Sequence, residues 1–212
     1  SNHNQPMLPF YVFYSMFGFQ RIGDLAWAAG DSRTRGFLIG GTAGRTTLNG
    51  EGLQHEDGHS LILSNLIPNC VSYDPTFQYE VAVVTQDGMR RMHVEQEDVF
   101  YYITVMNENY EHPEMPVGAE ADIIKGMYLF KKAGESAGPR VQLLGSGTIF
   151  REVIAAADLL KQDWGVEADL CLVGAKGMAY FRRLNVNVVA ATSHLGEQPK
   201  VQDLVGAINV MT

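Results

Sequence analysis

The most informative part of the sequence is Arg35-Gly-Phe-Leu-Ile-Gly-Gly-Thr-Ala-Gly-Arg-Thr-Thr-Leu-Asn-Gly-Glu-Gly-Leu-Gln-His-Glu-Asp-Gly-His59. Near its start, the apolar run 37–39 is short enough to be a buried strand. The stretch contains seven glycines, a residue used where the backbone turns or approaches a neighbour closely. Ionisable side chains lie between them, at Arg45, Glu51, His55, Glu56, Asp57 and His59. A strand followed by such a loop predicts a functional site on a rigid scaffold.

The same stretch contains the letters of the zinc motif H-E-x-x-H, at His55-Glu56-Asp57-Gly58-His59. That motif binds zinc on a helix, because residues four apart share a helix face. Here Asp57-Gly58 favours a turn, and the preceding glycines lack an apolar helical period. We therefore predict that His55 and His59 hold no metal ion.

A phosphate-binding loop is a second motif to consider at 40–46. The spacing of its glycines is one residue too short and Arg45 replaces the required lysine, so we reject it. Two interpretations of the loop remain. Its His and Glu side chains face a small-molecule site, or the loop is an exposed segment with solvated charges. The residues alone do not separate these alternatives.

The composition is that of a globular protein. The 212 residues suffice for one large or two small domains, with 46% hydrophobic and 19% charged residues. A net charge of −8 argues against nucleic acid or an anionic membrane as the main partner.

No apolar run approaches the roughly 20 residues of a transmembrane helix, so we expect no membrane insertion. Cys70 and Cys171 lie in apolar surroundings, which predicts buried free thiols and a cytoplasmic location. The amino terminus has no basic region typical of a signal peptide.

Alternating strand and helix patterns predict an α/β fold with largely parallel sheets and helices on both faces. Continuous apolar runs predict buried strands at 8–13, 37–39, 69–73 and 99–105. Helices are predicted at 15–29 and from an N-cap at Asp74 towards Met89.

The second half begins after a change in composition. Residues 113–140 are predicted to be a linker region, because prolines occur without periodicity. Further elements are predicted as strands at 141–147, 169–173 and 187–191 and as helices at 149–164, 176–184 and 201–211. The run Gly145-x-Gly147-x-x-Phe150 is only part of a dinucleotide fingerprint, and a tight strand–helix turn is favoured.

Five segments are distinctive enough to indicate a family: Tyr14-Ser-Met-Phe-Gly-Phe-Gln-Arg-Ile-Gly-Asp24, Gly36-Phe-Leu-Ile-Gly-Gly-Thr42, 45–60, Ile67-Pro-Asn69 and Asn107-Glu-Asn-Tyr110. They closely resemble the homodimeric bacterial pyruvate dehydrogenase E1 components, thiamine-diphosphate enzymes of the transketolase-like superfamily. The resemblance extends from residue 1 to about 170. It implies a partial pyrimidine-binding domain at 1–112, a linker region at 113–140 and an α/β C-terminal part at 141–212.

The resemblance also implies roles for four residues. Tyr14 and Phe17 would lie against the aminopyrimidine ring of the cofactor, since flat aromatic side chains hold a flat ring. Glu51 and His55 would line the substrate pocket near the thiazolium, where a histidine donates to an oxyanion or relays a proton. The intact family uses thiamine diphosphate and magnesium, acts on pyruvate and passes the acetyl group to a lipoyl carrier.

The family's cofactor-activating glutamate and its diphosphate–magnesium domain would precede this segment. We therefore expect this chain to bind no cofactor by itself and to lack activity alone. A surface that forms the dimer interface in the family would be exposed, so we expect a homo-oligomer.

From about residue 165 to 212 the sequence is similar to the γ subunit of bacterial ATP synthase. The segments that carry this similarity are 172–181, 187–190 and 204–211. This similarity predicts a chimera of two fragments, joined at a helix–strand turn that both families share. Three functions are thus considered: a partial E1, a non-enzymatic chimeric α/β module, and a zinc hydrolase on His55 and His59.

Overall fold

The first half of the chain forms a four-stranded sheet and the second half a three-stranded one. The computed structural model describes residues 5–43, 55–135 and 138–174. The elements are, in chain order, β1 (Phe10–Tyr14), α1 (Gly18–Asp31), β2 (Phe37–Gly41), α2 (Ser60–Ser64), β3 (Cys70–Tyr73), α3 (Gln78–Met89), a π-helical turn (Arg90–Val94), β4 (Phe100–Thr104), α4 (Glu120–Lys125), β5 (Met127–Lys131), β6 (Arg140–Gly145), a 3₁₀ turn (Gly147–Ile149), α5 (Phe150–Trp164) and β7 (Glu167–Val173).

The first sheet has the strand order β1-β2-β4-β3, and every neighbouring pair is parallel. The register places Phe10 beside Phe37, and Phe37 beside Tyr101. The predictions of a parallel sheet and of its four strands are confirmed, with ends shifted by one or two residues. The predicted burial of the first strand is wrong, because β1 is the edge strand and Val12 is 66% exposed.

Helices cover both faces of the first sheet, as the sequence predicts. Tyr101 and Ile103 of β4 pack in a core that includes Val84 of α3. The alternate residues Phe100 and Tyr102 pack in a second core with residues of α1 and α2. Because successive side chains of a strand point to opposite faces, burial on both sides accounts for the aromatic and apolar run at 100–103 of β4.

The second sheet is mixed. Its central strand β7 pairs with β6 in parallel and with β5 in antiparallel orientation. Residues 113–140, for which the sequence predicts a linker region, contain α4 and β5. Gly126 ends α4 in the left-handed conformation, with φ +96°, and the chain enters β5 at the next residue. A helix of this length leaves too short an apolar pattern to be recognised by periodicity.

The two sheets share one hydrophobic core, and Phe150 at the start of α5 lies at its centre. Its side chain has no exposed surface. Its ring centroid lies 5.2 Å from that of Phe130 in β5 and 6.2 Å from that of Phe77 before α3. Burying one such side chain contributes about 1.5–3 kcal/mol, so this contact is a major link between the two halves.

The helix predicted from Asp74 begins later, at Gln78, and Asp74 is not its N-cap. The Asp74 carboxylate accepts hydrogen bonds from Thr104 Oγ1 at 2.6 Å and from Ser146 Oγ at 2.7 Å. Because Ser146 lies in the turn between β6 and α5, Asp74 joins the two sheets. Tertiary contacts have overridden the local capping signal.

Within the three described ranges, no helix is both long and apolar enough to cross a membrane. The helices predicted at 176–184 and 201–211 and the strand predicted at 187–191 lie outside the described residues.

Candidate functional site

The candidate site lies at the carboxyl ends of β1 and β2. β1 ends at Tyr14, and Phe17 directly precedes α1. His55 lies in the segment that leads to α2. In open α/β sheets, ligands bind beyond the carboxyl ends of the strands. The position of these residues is therefore typical of a binding site in such folds.

The structure brings three of the four predicted site residues together. The ring centroid of His55 lies 5.1 Å from that of Phe17 and 5.9 Å from that of Tyr14, edge-on in both cases. Tyr14 and Phe17 are themselves 6.4 Å apart. Tyr14 is 49% exposed, so its ring is accessible to a ligand, whereas Phe17 and His55 are half-buried. Glu51 lies outside the described residues, and its place in the site stays a prediction.

Two further residues adjoin this cluster, and the sequence interpretation assigned them no role. The Ser15 hydroxyl is buried and has no hydrogen-bond partner in the described part of the chain. The Arg21 guanidinium lies 4.5 Å from the centroid of the Phe17 ring, over its face. The spacing of four residues between Phe17 and Arg21 was the available signal, because α1 begins between them.

His59 takes a different position from His55. Its Nε2 atom lies 3.2 Å from the carbonyl oxygen of Met16 and 2.8 Å from Nε2 of Gln20. Helix α2 begins only at Ser60, so the zinc motif does not present two histidines on one helix face. Within the described ranges, no group of three or more His, Cys, Asp or Glu residues is arranged to hold a metal ion. The absence of zinc stays a prediction, which elemental analysis of the purified chain tests.

The loop after β2 leaves the sheet through an unusual backbone conformation. Thr42 has φ +56°, a left-handed value that is rare for a β-branched residue and costs about 1–3 kcal/mol. The N–H of Ala43 then donates to the carbonyl oxygen of Val105 at 3.0 Å. These two features fix the backbone at the point where the chain leaves β2.

Two buried carboxyl groups follow β3: Asp74 directly after the strand and Glu80 in the first turn of α3. Burial raises the pKa of Asp74, against the opposing effect of its hydrogen bonds from Thr104 and Ser146. Burial also raises the pKa of Glu80, to about 7. The cavity that both groups line has a volume of about 10 Å³, which is room for one water molecule and not for a substrate. The cavity beside these carboxyl groups is therefore not a substrate site.

Comparisons with known proteins identify the family of the chain. A family model described as the pyruvate dehydrogenase E1 component middle domain matches residues 1–113. The chain belongs to this family. Tyr14, Phe17 and His55 of this E1 chain all lie within the matched range.

Similar proteins extend the match beyond residue 113. The pyruvate dehydrogenase E1 component of Cupriavidus necator is 76% identical over 171 residues, which are 80% of this chain and 19% of that protein. That of Pseudomonas aeruginosa is 63% identical over 204 residues, which are 94% of this chain and 23% of that protein. The E1 chain thus spans about a fifth of the length of the curated relatives it matches.

A solved structure shows the same fold. The transketolase of Campylobacter jejuni superposes on the E1 chain with a TM-score of 0.65, covering 79% of this chain and 24% of that one, at 20% identity. At that identity the likeness concerns the fold alone. It agrees with the α/β arrangement predicted from the sequence.

Proposed function

We propose that this E1 chain forms the part of a thiamine-diphosphate-dependent pyruvate dehydrogenase that contacts the aminopyrimidine ring and the substrate. One observation carries the proposal: Tyr14, Phe17 and His55 meet at the carboxyl ends of β1 and β2. The longer protein would oxidatively decarboxylate pyruvate and transfer the acetyl group to a lipoyl carrier. When bound, the thiamine group supplies the nucleophilic carbon and the electron sink for that chemistry.

The residues present fit one end of this cofactor. The exposed ring of Tyr14 and the half-buried ring of Phe17 suit a flat ring. Magnesium and diphosphate require several oxygen ligands, and we propose that other parts of the longer protein supply them.

His55 is the residue we propose for proton transfer. A neutral imidazole accepts a proton on one nitrogen and donates from the other, so it can serve a developing oxyanion or relay a proton. The edge-on contacts with Tyr14 and Phe17 restrict the orientation of its ring. We propose that the carboxyl group of Glu51, four residues earlier, lines the same pocket.

A hybrid enzyme tests the proposed function. The matched 171 residues of the Cupriavidus relative would be replaced by the corresponding part of this chain, with the rest of that protein retained. We expect pyruvate-dependent dye reduction within about tenfold of the parent, a difference of about 1.4 kcal/mol in the barrier. A folded hybrid without activity would contradict the proposal.

The isolated chain is expected to bind thiamine diphosphate no more tightly than about 1 mM. The aromatic contacts that it retains are worth only about 1 kcal/mol each. Calorimetry with thiamine diphosphate and magnesium measures this affinity. Micromolar binding, or decarboxylation of pyruvate by the isolated chain, would show that more of the site is present than we propose.

We also propose that the chain forms a homo-oligomer through the edge of β1. Phe10 and Val12 of this edge strand are exposed. A mainly apolar groove of about 330 Å³ lies beside it, between β1 and α1. Residues 6–20 include no charged side chain, so two chains of net charge −8 approach each other here with least repulsion.

A Val12→Lys substitution is expected to weaken this self-association by about tenfold or more. In a two-fold antiparallel pair centred on Val12, each introduced lysine would lie opposite its copy, and like charges there are destabilising. Sedimentation equilibrium measures the change. Val141→Lys, on the edge strand β6 of the other sheet, is the matched control. An equal effect of both substitutions would count against the β1 edge.

A chimeric, non-enzymatic module with an ATP synthase γ-like tail is the alternative. The alignment with the Pseudomonas relative covers 94% of this chain and so includes residues beyond 170, which favours a continuous E1 sequence. The junction itself stays a prediction, and the genomic sequence around codon 165 tests it.

Cys70 and Cys171 are free and buried, which supports a proposed cytoplasmic location.

A further inference from the structure

A chain of buried hydrogen bonds connects the middle of the first sheet with the segment that contains His55. The Tyr102 hydroxyl donates to Ser60 Oγ at 2.8 Å, and Ser60 Oγ donates to Asp57 Oδ2. Asp57 Oδ1 in turn accepts the amide N–H groups of Ser60 at 3.0 Å and His59 at 3.2 Å. Tyr102 has no exposed surface, and only 5% of the Asp57 side chain is exposed.

This arrangement goes beyond the capping of α2. A cap requires only that Asp57 accepts the free amide groups at the start of the helix. The additional link through Ser60 to Tyr102 attaches the cap to β4, in the centre of the sheet. Burial raises the pKa of Tyr102, so its hydroxyl remains a donor.

Gly40 of β2 provides the space for this link. A Cβ atom at position 40 would lie 2.3 Å from the Tyr102 hydroxyl oxygen, far inside contact distance. The neighbouring strand therefore needs glycine here for the phenol to reach Ser60. Gly40 belongs to the glycine-rich stretch 35–59, from which the sequence predicts the site, and the close approach of Tyr102 explains why this position is glycine.

His55 is thereby held from two sides. Its ring meets Phe17 and Tyr14 edge-on, and the backbone two residues later is fixed at Asp57. We propose that Tyr102 is a positioning residue, which acts through Ser60 and Asp57 to hold His55 against the aromatic cluster. The catalytic consequence rests on the proposed function, whereas the placement of His55 does not.

A Tyr102→Phe variant of the full chain tests the proposal, because it removes one oxygen atom and keeps the ring. That ring still packs edge-on against Phe19 at 4.9 Å and stacks on Phe13 at 6.0 Å. Two quantities are measured by NMR without cofactor. The first is hydrogen exchange at the amides of His59 and Ser60. The second is the set of chemical shifts of the His55 ring, which the neighbouring Phe17 ring alters through its ring current. We expect exchange to rise at least about tenfold, and the His55 shifts to move towards those of an exposed histidine.

The matched control is Tyr128→Phe, which removes a buried hydroxyl from the Tyr79–Tyr128 pair in the other core. It should leave both the amide exchange of His59 and Ser60 and the chemical shifts of the His55 ring unchanged. Ser60→Ala breaks the same chain in the middle and should reproduce the effect of Tyr102→Phe. The double variant should add little, because both substitutions interrupt one network.

Unchanged His55 shifts in both Tyr102→Phe and Ser60→Ala would overturn the proposal. So would an equal change in the Tyr128→Phe control, which would indicate a general loss of stability. Since neither readout requires cofactor or turnover, an inactive hybrid enzyme would contradict the proposed function and leave this test intact.

Discussion

A His55→Ala substitution in the hybrid enzyme is expected to lower kcat for pyruvate by about 10²–10⁴-fold, the usual contribution of a positioned acid–base group. An acid–base group acts mainly in the transition state and contributes little to the binding of substrate, so KM should change much less than kcat. Steady-state dye reduction at saturating cofactor measures both constants. The packing of Phe17 against Tyr14 survives the substitution, because their rings contact each other directly.

A second histidine provides the control for this measurement. His93 is exposed and lies in the turn before β4, at the opposite end of the parallel strands. His93→Ala should leave kcat within about twofold, as expected of a surface position away from special contacts. If His55→Ala retained more than about a tenth of the native kcat, His55 would only line the pocket and would not be its acid–base group.

The parts of the fold that could be predicted are those whose sequence signal is local. β4 is aromatic or apolar at its first four positions because both of its faces are buried, and such a run is visible without knowledge of its neighbours. β1 has an equally apolar sequence, yet it lies at the edge with Val12 exposed. Strand formation is thus visible in residue types, whereas strand order and burial depend on which chain segments pair.

The same distinction applies to the site. Tyr14, Phe17 and His55 were predicted as site residues because they belong to segments with a recognisable family resemblance, and the structure brings them together. The link between Tyr102 and Ser60 spans 42 positions, and that between Asp74 and Ser146 spans 72. No local pattern marks either pair, and Asp74 carried a capping signal for a different role. Long-range hydrogen bonds of this kind depend on the packed sheets.

A Glu80→Gln substitution is expected to abolish about 3 kcal/mol of pH dependence in the free energy of unfolding. Burial raises the pKa of Glu80 from 4.5 to about 7, and each pKa unit corresponds to about 1.4 kcal/mol. A raised pKa means that the folded chain holds the proton more tightly than the unfolded chain. The stabilising effect of protonation is therefore complete below about pH 4.5 and is lost as the pH rises through about 7.

Glutamine retains the part of Glu80 that the helix requires. Oε2 of Glu80 accepts the amide N–H groups of Thr76 at 2.9 Å and Phe77 at 2.8 Å, which caps α3. The amide oxygen of glutamine can accept both, without a charge in the core. The variant should match the native chain near pH 5 and exceed its stability at pH 8. Alanine also removes the charge but leaves both N–H groups unpaired, so it should be about 2–4 kcal/mol less stable than the glutamine variant at either pH.

Urea unfolding at pH 5 and pH 8 distinguishes these effects, because the charge alters only the pH dependence and the missing acceptor alters stability at both values. Glu114→Gln, at an exposed position, removes the same charge outside the core and should leave the pH profile unchanged. If Glu80→Gln followed the native profile in parallel, the pKa of Glu80 would be close to that of a solvated carboxyl group. Its contribution would then be limited to the cap of α3.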